Sequence, residues 1–256
     1  MNRVKVGFFS LSHASPSGDD RPYLEWHQMD HMPEQYQLPG MLLAQRWAST
    51  PACRAARAAE DGDWAKVEHV VCYMMGQPVD ETIDEFFSLG RHLAELGRLP
   101  HSLPSQYRGA LRLLETHASP RVLVSDEVVP FRPHEGVYLI IEQPLDPPAE
   151  RSVQEEYLQR VHIEQLSTLV SVPGVAGVWT FGTTPSIRRP MFSEGDYRIT
   201  ACYLDDDPAT VGERLGPVLS EWWRDAPYRP VLAAPFESLV RLDSEWVSPP
   251  TAGASS

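Results

Sequence analysis

Residues 23–50 read YLEWHQMDHMPEQYQLPGMLLAQRWAST, and this stretch decides the predicted fold. The part from Tyr23 to Leu38 predicts a helix, and the part from Met41 to Thr50 predicts a strand. Pro39-Gly40 separates them, because glycine just beyond a helix can adopt the left-handed conformation and proline cannot extend the helix. The stretch is therefore a module of helix, tight turn and strand.

The second half of the chain contains a similar module. Residues 172–184 read VPGVAGVWTFGTT and align with LPGMLLAQRWAST at residues 38–50, which places the two Pro-Gly pairs 134 positions apart. Apolar periodicity predicts the order strand, helix, strand, strand, helix, strand on both sides of a connection at 119–134. We therefore predict an internal duplication, with a first repeat at 1–118 and a second repeat at 135–247.

Each predicted repeat is a ferredoxin-like β-α-β-β-α-β unit, which forms a four-stranded antiparallel sheet with both helices on one face. The other face of such a sheet is apolar and needs a cover, and the second unit is the simplest one. The sequence thus predicts an α+β protein in which two antiparallel sheets pack together within one chain. The last strand is predicted at 236–246, and the polar tail at 248–256 is predicted to be disordered.

Composition restricts the class of protein. The chain has 256 residues, of which 42% are hydrophobic, and its apolar runs are strand-sized, whereas a membrane-spanning helix needs roughly 20 residues. A formal net charge of −13 without a basic cluster disfavours nucleic acid as a partner. The start, MNRVKVGFFSLSH, alternates like a strand and lacks a signal-peptide pattern, so a cytoplasmic location is expected. The scattered cysteines, Cys53, Cys72 and Cys202, are predicted to be reduced thiols.

Two histidines of the first predicted helix are the main catalytic candidates. His27 and His31 are four positions apart and share one face of a regular helix. The opposite face, with Met29 and Tyr36, is the more apolar one, and on a regular helix the histidines would then point outward. Pro33 lacks an N–H and disfavours helical geometry at the residue before it, so a break there could turn His31 toward a pocket. The sequence leaves both orientations open.

Five further residues are candidates for the same site. His69 and Tyr73 are four apart on a predicted strand and therefore lie on one side of it, where the imidazole is a third acid–base candidate. Arg46 could hold a carboxylate or an enolate, and otherwise it pairs with an acidic neighbour. Trp26 and Asp30 complete the candidate substrate-binding set, although Asp30 could equally be a solvated charge.

The run W-H-x3-H-x-P-x5-P-G-x3-A-x-R-W at residues 26–47, together with the duplicated unit, resembles the dimeric α/β-barrel superfamily, and within it the EthD-like branch. Most such proteins are homodimers of a single unit, so the resemblance implies a pseudo-dimer within this chain, which could itself form a homodimer. It also implies a pocket between the sheet and the helices of a unit. The superfamily includes polyketide cyclases, lactone isomerases, cofactor-free monooxygenases and haem enzymes, so the fold does not determine the function.

The histidine set occurs only in the first repeat, since Gln165 stands where the second repeat aligns with His31. We therefore expect one active half and one scaffolding half. The expected function is a cofactor-independent lyase or isomerase, of the dehydratase or cyclase type, in which His31 with His27 or His69 performs acid–base catalysis on a small, apolar, oxygenated molecule. The alternatives are a cofactor-free oxygenase and a non-catalytic protein that binds a small ligand.

No metal or other cofactor is expected. The spacing of His27 and His31 suits zinc, but position 28 is glutamine, so the glutamate of HExxH is missing, and no further ligand is evident. Haem would require a proximal ligand, for which His69 and His162 are the candidates.

Overall fold

The computed structural model describes residues 2–239, except for the side chains of residues 162 and 163. The predicted tail at 248–256 and most of the predicted last strand lie outside this range. The first half contains β1 (Val6–His13), α1 (Arg21–Trp26), α2 (Met32–Gln35), β2 (Met41–Ala48), α3 (Pro51–Ala55), β3 (Ala59–Glu60), β4 (Val67–Met75), α4 (Val79–Glu95) and β5 (Ser105–Ala118). The second half contains β6 (Gly136–Pro144), α5 (Arg151–Arg160), α6 (Leu166–Ser171), β7 (Val175–Gly182), β8 (Arg198–Leu204), α7 (Pro208–Trp222) and β9 (Tyr228–Ser238).

The strands between residues 2 and 239 form one antiparallel sheet in the order β2-β4-β1-β5-β7-β8-β6-β9-β3. An additional pairing of β2 with β9, in which Trp47 lies opposite Ser238, closes the sheet into a barrel. The two halves thus meet edge to edge, at β5–β7 and at β2–β9, as well as across the interior. Closure removes the exposed edges that two open sheets would leave.

Side chains that alternate along the strands fill both sides of the barrel wall. The interior cluster combines large residues of both halves, among them Phe9, Trp47, Trp179, Phe181 and Phe236. A second cluster packs the second-half helices onto the outside of the wall, and a third does the same in the first half. None of the helices between residues 2 and 239 combines the length and the hydropathy needed to cross a lipid bilayer.

A π-helical turn at His27–His31 joins α1 to α2 into one continuous helix. The N–H of Met32 donates to the carbonyl of His27, five residues back, so the turn holds one residue more than an α-helix would and shifts the phase of the residues that follow. His27 is consequently buried, whereas Met29 is 66% exposed. A regular helix would have pointed both histidines outward, and for His27 this orientation is wrong.

A second π-helical turn, at Val161–Gln165, joins α5 to α6. It begins 134 positions after the first one, which is also the spacing of the two Pro-Gly pairs. The two halves therefore carry the same irregularity at aligned positions, although only the first carries histidine at both ends of the turn.

The last strand begins earlier than predicted. β9 runs over Tyr228–Ser238, whereas the sequence pattern places the strand at 236–246. Proline cannot donate to a strand ladder and is therefore unusual inside a strand. In the structure the strand passes through Pro230 and Pro235, and the ladder with β6 shifts its register between Ile141 and Glu142, next to Pro230.

Candidate functional site

A cleft of about 330 Å³ lies between the helix at residues 21–35, the first-half sheet and α4. This volume is at the lower end of the roughly 300–1,000 Å³ typical of small-molecule pockets. Four of the predicted site residues line the cleft together: Trp26, His27, His31 and Tyr73. Aromatic side chains form another part of its lining: Phe8, Phe86 and Phe87.

His27 and Tyr73 form a buried pair at the floor of the cleft. Nε2 of His27 lies 3.2 Å from the Tyr73 hydroxyl, and Nδ1 of His27 has no partner among residues 2–239. Burial lowers the pKa of His27 well below its usual value, and the positive charge of Arg46 acts in the same direction. Burial also raises the pKa of the Tyr73 phenol. At neutral pH the pair is therefore an uncharged imidazole beside a protonated phenol.

His31 is half-buried beside this pair. Its ring stacks on Trp26 with centroids 5.0 Å apart and an angle of 28° between the planes, and it lies 5.2 Å from the ring of His27. Burial lowers the pKa of His31 to about 4, although Glu34 partly opposes the effect. His31 is thus unprotonated at neutral pH and can accept a proton.

His69 does not border the cleft, contrary to its prediction as a third catalytic histidine. Its Nε2 lies 2.6 Å from a carboxylate oxygen of Asp20, and the side chain is buried. Burial lowers the pKa of His69, and the hydrogen bond to Asp20 opposes that effect. Burial by itself would raise the pKa of Asp20, but the hydrogen bonds from His69 and the Ser15 backbone outweigh it and lower that pKa. His69 is therefore hydrogen-bonded to Asp20, and neither residue lines the cleft.

Arg46 is also placed behind the cleft rather than in its lining. It is 4% exposed, and its guanidinium carbon lies 4.8 Å from the centre of the Tyr23 ring. None of its three side-chain nitrogens has a hydrogen-bond partner within residues 2–239. Burial lowers its pKa, while Tyr23 and Asp20 oppose the shift. The predicted partner, an adjacent acidic residue, is not in hydrogen-bond contact with it.

Asp30 does not belong to the site. It lies in the exposed part of the π-helical turn and does not line the cleft, whereas the sequence pattern groups it with the substrate-binding residues. The extra residue of the turn rotates Met29 and Asp30 to the solvent side.

Sequence reasoning missed several residues around the cleft. Tyr23 precedes His27 by one helical turn and separates the cleft from Arg46, with its ring 5.6 Å from that of His27. Gln35 follows His31 by one turn and is buried, with its amide nitrogen 3.5 Å from Nε2 of His31. Tyr23 and Gln35 each lie four positions from a histidine along the helix, and this spacing could have identified both from the sequence. His101 is exposed, borders the cleft and lies against Trp26.

The corresponding layer of the second half is filled. Val161 and Leu166 pack there with other apolar residues, and the remaining cavity is about 10 Å³. Trp223 donates its indole N–H to the buried carboxylate of Glu142 at 2.9 Å. Within the described residues, the cavity enclosed in this layer is therefore much smaller than the first-half cleft, while a separate opening of about 230 Å³ lies next to it, with Gln165 and Trp222 in its lining.

His69, one of the two candidates for a haem ligand, is not placed to hold a haem in the first-half cleft. His69 is bound to Asp20 and does not border the cleft, and the second-half layer leaves about 10 Å³. The side chain of His162, the other ligand candidate, lies outside the described residues. No group of three or more His, Cys, Asp or Glu side chains in the described part of the chain is arranged to hold a metal ion.

No family model and no curated protein matches the chain. Solved structures with a similar fold include an anthrone oxidase-like protein, with a TM-score of 0.52 and 11% identity over 93% of both chains. A protein from Fusobacterium nucleatum subsp. nucleatum named as a monooxygenase matches with a TM-score of 0.53 and 8% identity, over 93% of this chain and 94% of that one. A protein named as a chlorite dismutase matches with a TM-score of 0.51 and 10% identity, over 93% of this chain and 96% of that one.

Identities this low establish the fold and leave the activity to be argued from the site. The expected lyase or isomerase function is nevertheless wrong on these findings, because the similar structures are named as oxidase-like or monooxygenase proteins and favour the oxygenase alternative. The matches extend over both halves, and the protein has a dimeric α/β-barrel-like fold.

Proposed function

We propose that the protein is a cofactor-free oxygenase that oxidises a small aromatic, enolisable molecule with dioxygen in the first-half cleft. The observation that carries this proposal is the convergence of two unprotonated imidazoles, His27 and His31, and a protonated phenol, Tyr73, in a cleft lined by aromatic rings. The names of two similar structures, an anthrone oxidase-like protein and a monooxygenase, support the reaction class.

The reaction begins with proton transfer to a histidine. His31 accepts a proton from an activated CH₂ group of the substrate, and Tyr73 donates a hydrogen bond to the enolate oxygen that forms. The carbanion then bonds to dioxygen, and the histidinium returns its proton to give a hydroperoxide. Loss of water from that hydroperoxide gives a ketone, so CH₂ and O₂ become C=O and H₂O. Trp26, stacked on His31, would hold the flat substrate beside the base.

We also infer that the chain is a tandem of two related units, with the boundaries 1–118 and 135–247. The equal spacing of the Pro-Gly pairs and of the π-helical turns supports this division. The second unit would then be the scaffolding half. Membership of the EthD-like branch stays a prediction.

Oxygen uptake tests the proposal directly. With anthrone or a panel of enolisable phenols, we expect the purified protein to consume dioxygen and to transfer label from ¹⁸O₂ into the product. His31→Gln, which introduces the residue of the second half, should remove most turnover with little change in Tm. His92→Gln is the matched control, because His92 lies exposed on α4. Turnover under strict anoxia, or full oxygen uptake by folded His31→Gln, would contradict the proposal.

A further inference from the structure

Two arginines near β2, Arg46 and Arg57, have buried side chains but differ in their hydrogen bonds. The side chain of Arg57 is 3% exposed, and its guanidinium donates to the carbonyls of Ala65 at 2.6 Å and Val67 at 2.5 Å, and to Ser49 Oγ at 3.1 Å. Arg46 is equally buried and makes no such bond within residues 2–239. A buried cation without hydrogen-bond partners is costly, and a ligand that supplies those partners would offset the cost.

Arg46 is one of the residues that line a groove of about 820 Å³. It lies on the other flank of the helix that carries the histidines, since Gln28 and Met32 line the groove whereas His27 and His31 line the cleft. Leu43 and Phe131 add apolar surface to its lining. The groove is therefore a second opening, separated from the cleft by one helix.

The other charged residues of the groove narrow the class of ligand. Arg132 forms a bidentate pair with Asp205, at 3.2 and 3.1 Å, so its charge is already matched. Glu135 and Glu237 also line the groove and disfavour anions of multiple charge. A planar carboxylate with a single charge matches the guanidinium fork of Arg46, and an apolar body matches the remaining lining.

We propose that this groove binds an organic monocarboxylate with an apolar body, whose carboxylate pairs with Arg46. The site is distinct from the oxygenase cleft, and its occupancy does not depend on the proposed oxygenase activity. A bound carboxylate would also neutralise the charge of Arg46, which contributes to the low pKa values of His27 and His31. Ligand in the groove would thus make both histidines more basic.

Thermal shift and calorimetry with benzoate test the site. Benzoate should raise the Tm of the full chain in a concentration-dependent way, because it binds only the folded state. Benzamide, its neutral isostere, and inorganic phosphate should not. Arg46→Met should abolish the benzoate effect, whereas Arg132→Met, which removes an already paired arginine of the same groove, should retain it. If Arg46→Met does not fold, Arg46→Lys keeps the charge without the planar fork and should weaken benzoate binding at least tenfold.

Two indole groups show which opening benzoate enters. The Trp47 indole N–H donates to His134 at 3.2 Å beside the groove, and the Trp26 indole N–H donates to the carbonyl of Arg98 beside the cleft. In ¹H–¹⁵N spectra, benzoate should shift the Trp47 indole signal and leave the Trp26 signal in place. A shift of Trp26 alone, no binding at all, or equal binding by Arg46→Met would overturn the proposal.

Discussion

Buried polar atoms without partners concentrate around one point of the sheet. Nδ1 of His27, His31 and His69 and the three nitrogens of Arg46 all lack hydrogen bonds within residues 2–239. Buried polar groups in proteins are usually satisfied, and exceptions call for a physical explanation. Burial lowers the pKa of His27 and of His69, so it disfavours the protonated form of both imidazoles beside the guanidinium of Arg46. This concentration supports the proposal that the region around the first helix is the functional part of the molecule.

The two buried arginines should respond in opposite ways to the same substitution. Arg57→Met leaves four acceptors without their donor, the carboxylate of Glu60 among them, and should lower the free energy of unfolding by about 3–5 kcal/mol. Arg46→Met removes a buried charge that has no partner, so the unliganded protein should be unchanged or more stable. Urea denaturation of both variants in carboxylate-free buffer measures the difference. Equal destabilisation by the two substitutions would show that Arg46 is satisfied in the folded chain.

The low pKa of His31 predicts a stability that falls with acidification. The pKa of His31 is about 4 in the folded chain, whereas its ordinary value, which applies to the unfolded chain, is 6.5. Between these two pH values the unfolded chain binds a proton that the folded chain does not. The free energy of unfolding therefore decreases as the pH falls below about 6.5, and this contribution levels off below about 4. His31→Gln should flatten the dependence across that window in denaturation curves. An unchanged slope would show that His31 titrates normally in the folded state.

At the scale of elements, the sequence pattern predicted the helices and strands of both halves well, because apolar periodicity follows from burial. It also predicted that Trp26, His27, His31 and Tyr73 would meet. It could not predict the π-helical turn, because a shift by one hydrogen-bond partner depends on what the helix packs against. The turn decides which face is buried, and for this reason the pattern could not foresee that Asp30 lies on the exposed side.

The π-helical turn can be removed without touching either histidine. Deleting Met29, which is 66% exposed, should let the helix close as a regular α-helix with His27 and His31 three positions apart. We expect the fold to survive and the alignment of the two imidazoles, and with it oxygen uptake, to be lost. Met29→Ala keeps the length of the turn and serves as the control, with activity retained. If the deletion variant were folded and fully active, the turn would have no part in placing the histidines.

At the scale of the whole molecule, the barrel makes the halves interdependent while their outer layers differ. The interior cluster draws on both halves, with Phe9 and Trp47 from one and Trp179, Phe181 and Phe236 from the other. Outside the barrel, the enclosed layer of the second half keeps a cavity of only about 10 Å³ where the first half keeps its cleft of about 330 Å³, and a further second-half opening of about 230 Å³ lies beside it. This asymmetry is expected when one half supplies the site and the other completes the barrel. A homodimer of the whole chain stays a prediction.

Separated halves should not fold alone but should reassemble. The connection can be cut after Leu123, which is 99% exposed, to give fragments 1–123 and 124–256. Each fragment alone would expose the apolar interior face of its sheet together with two unpaired strand edges, at β2 and β5 or at β7 and β9. We therefore expect aggregation or self-pairing of each fragment, and a 1:1 complex when both are co-expressed, measured by size-exclusion chromatography and native mass spectrometry. A monomeric, soluble and cooperatively folded 1–123 fragment would contradict this, because its interior face would then have no cover.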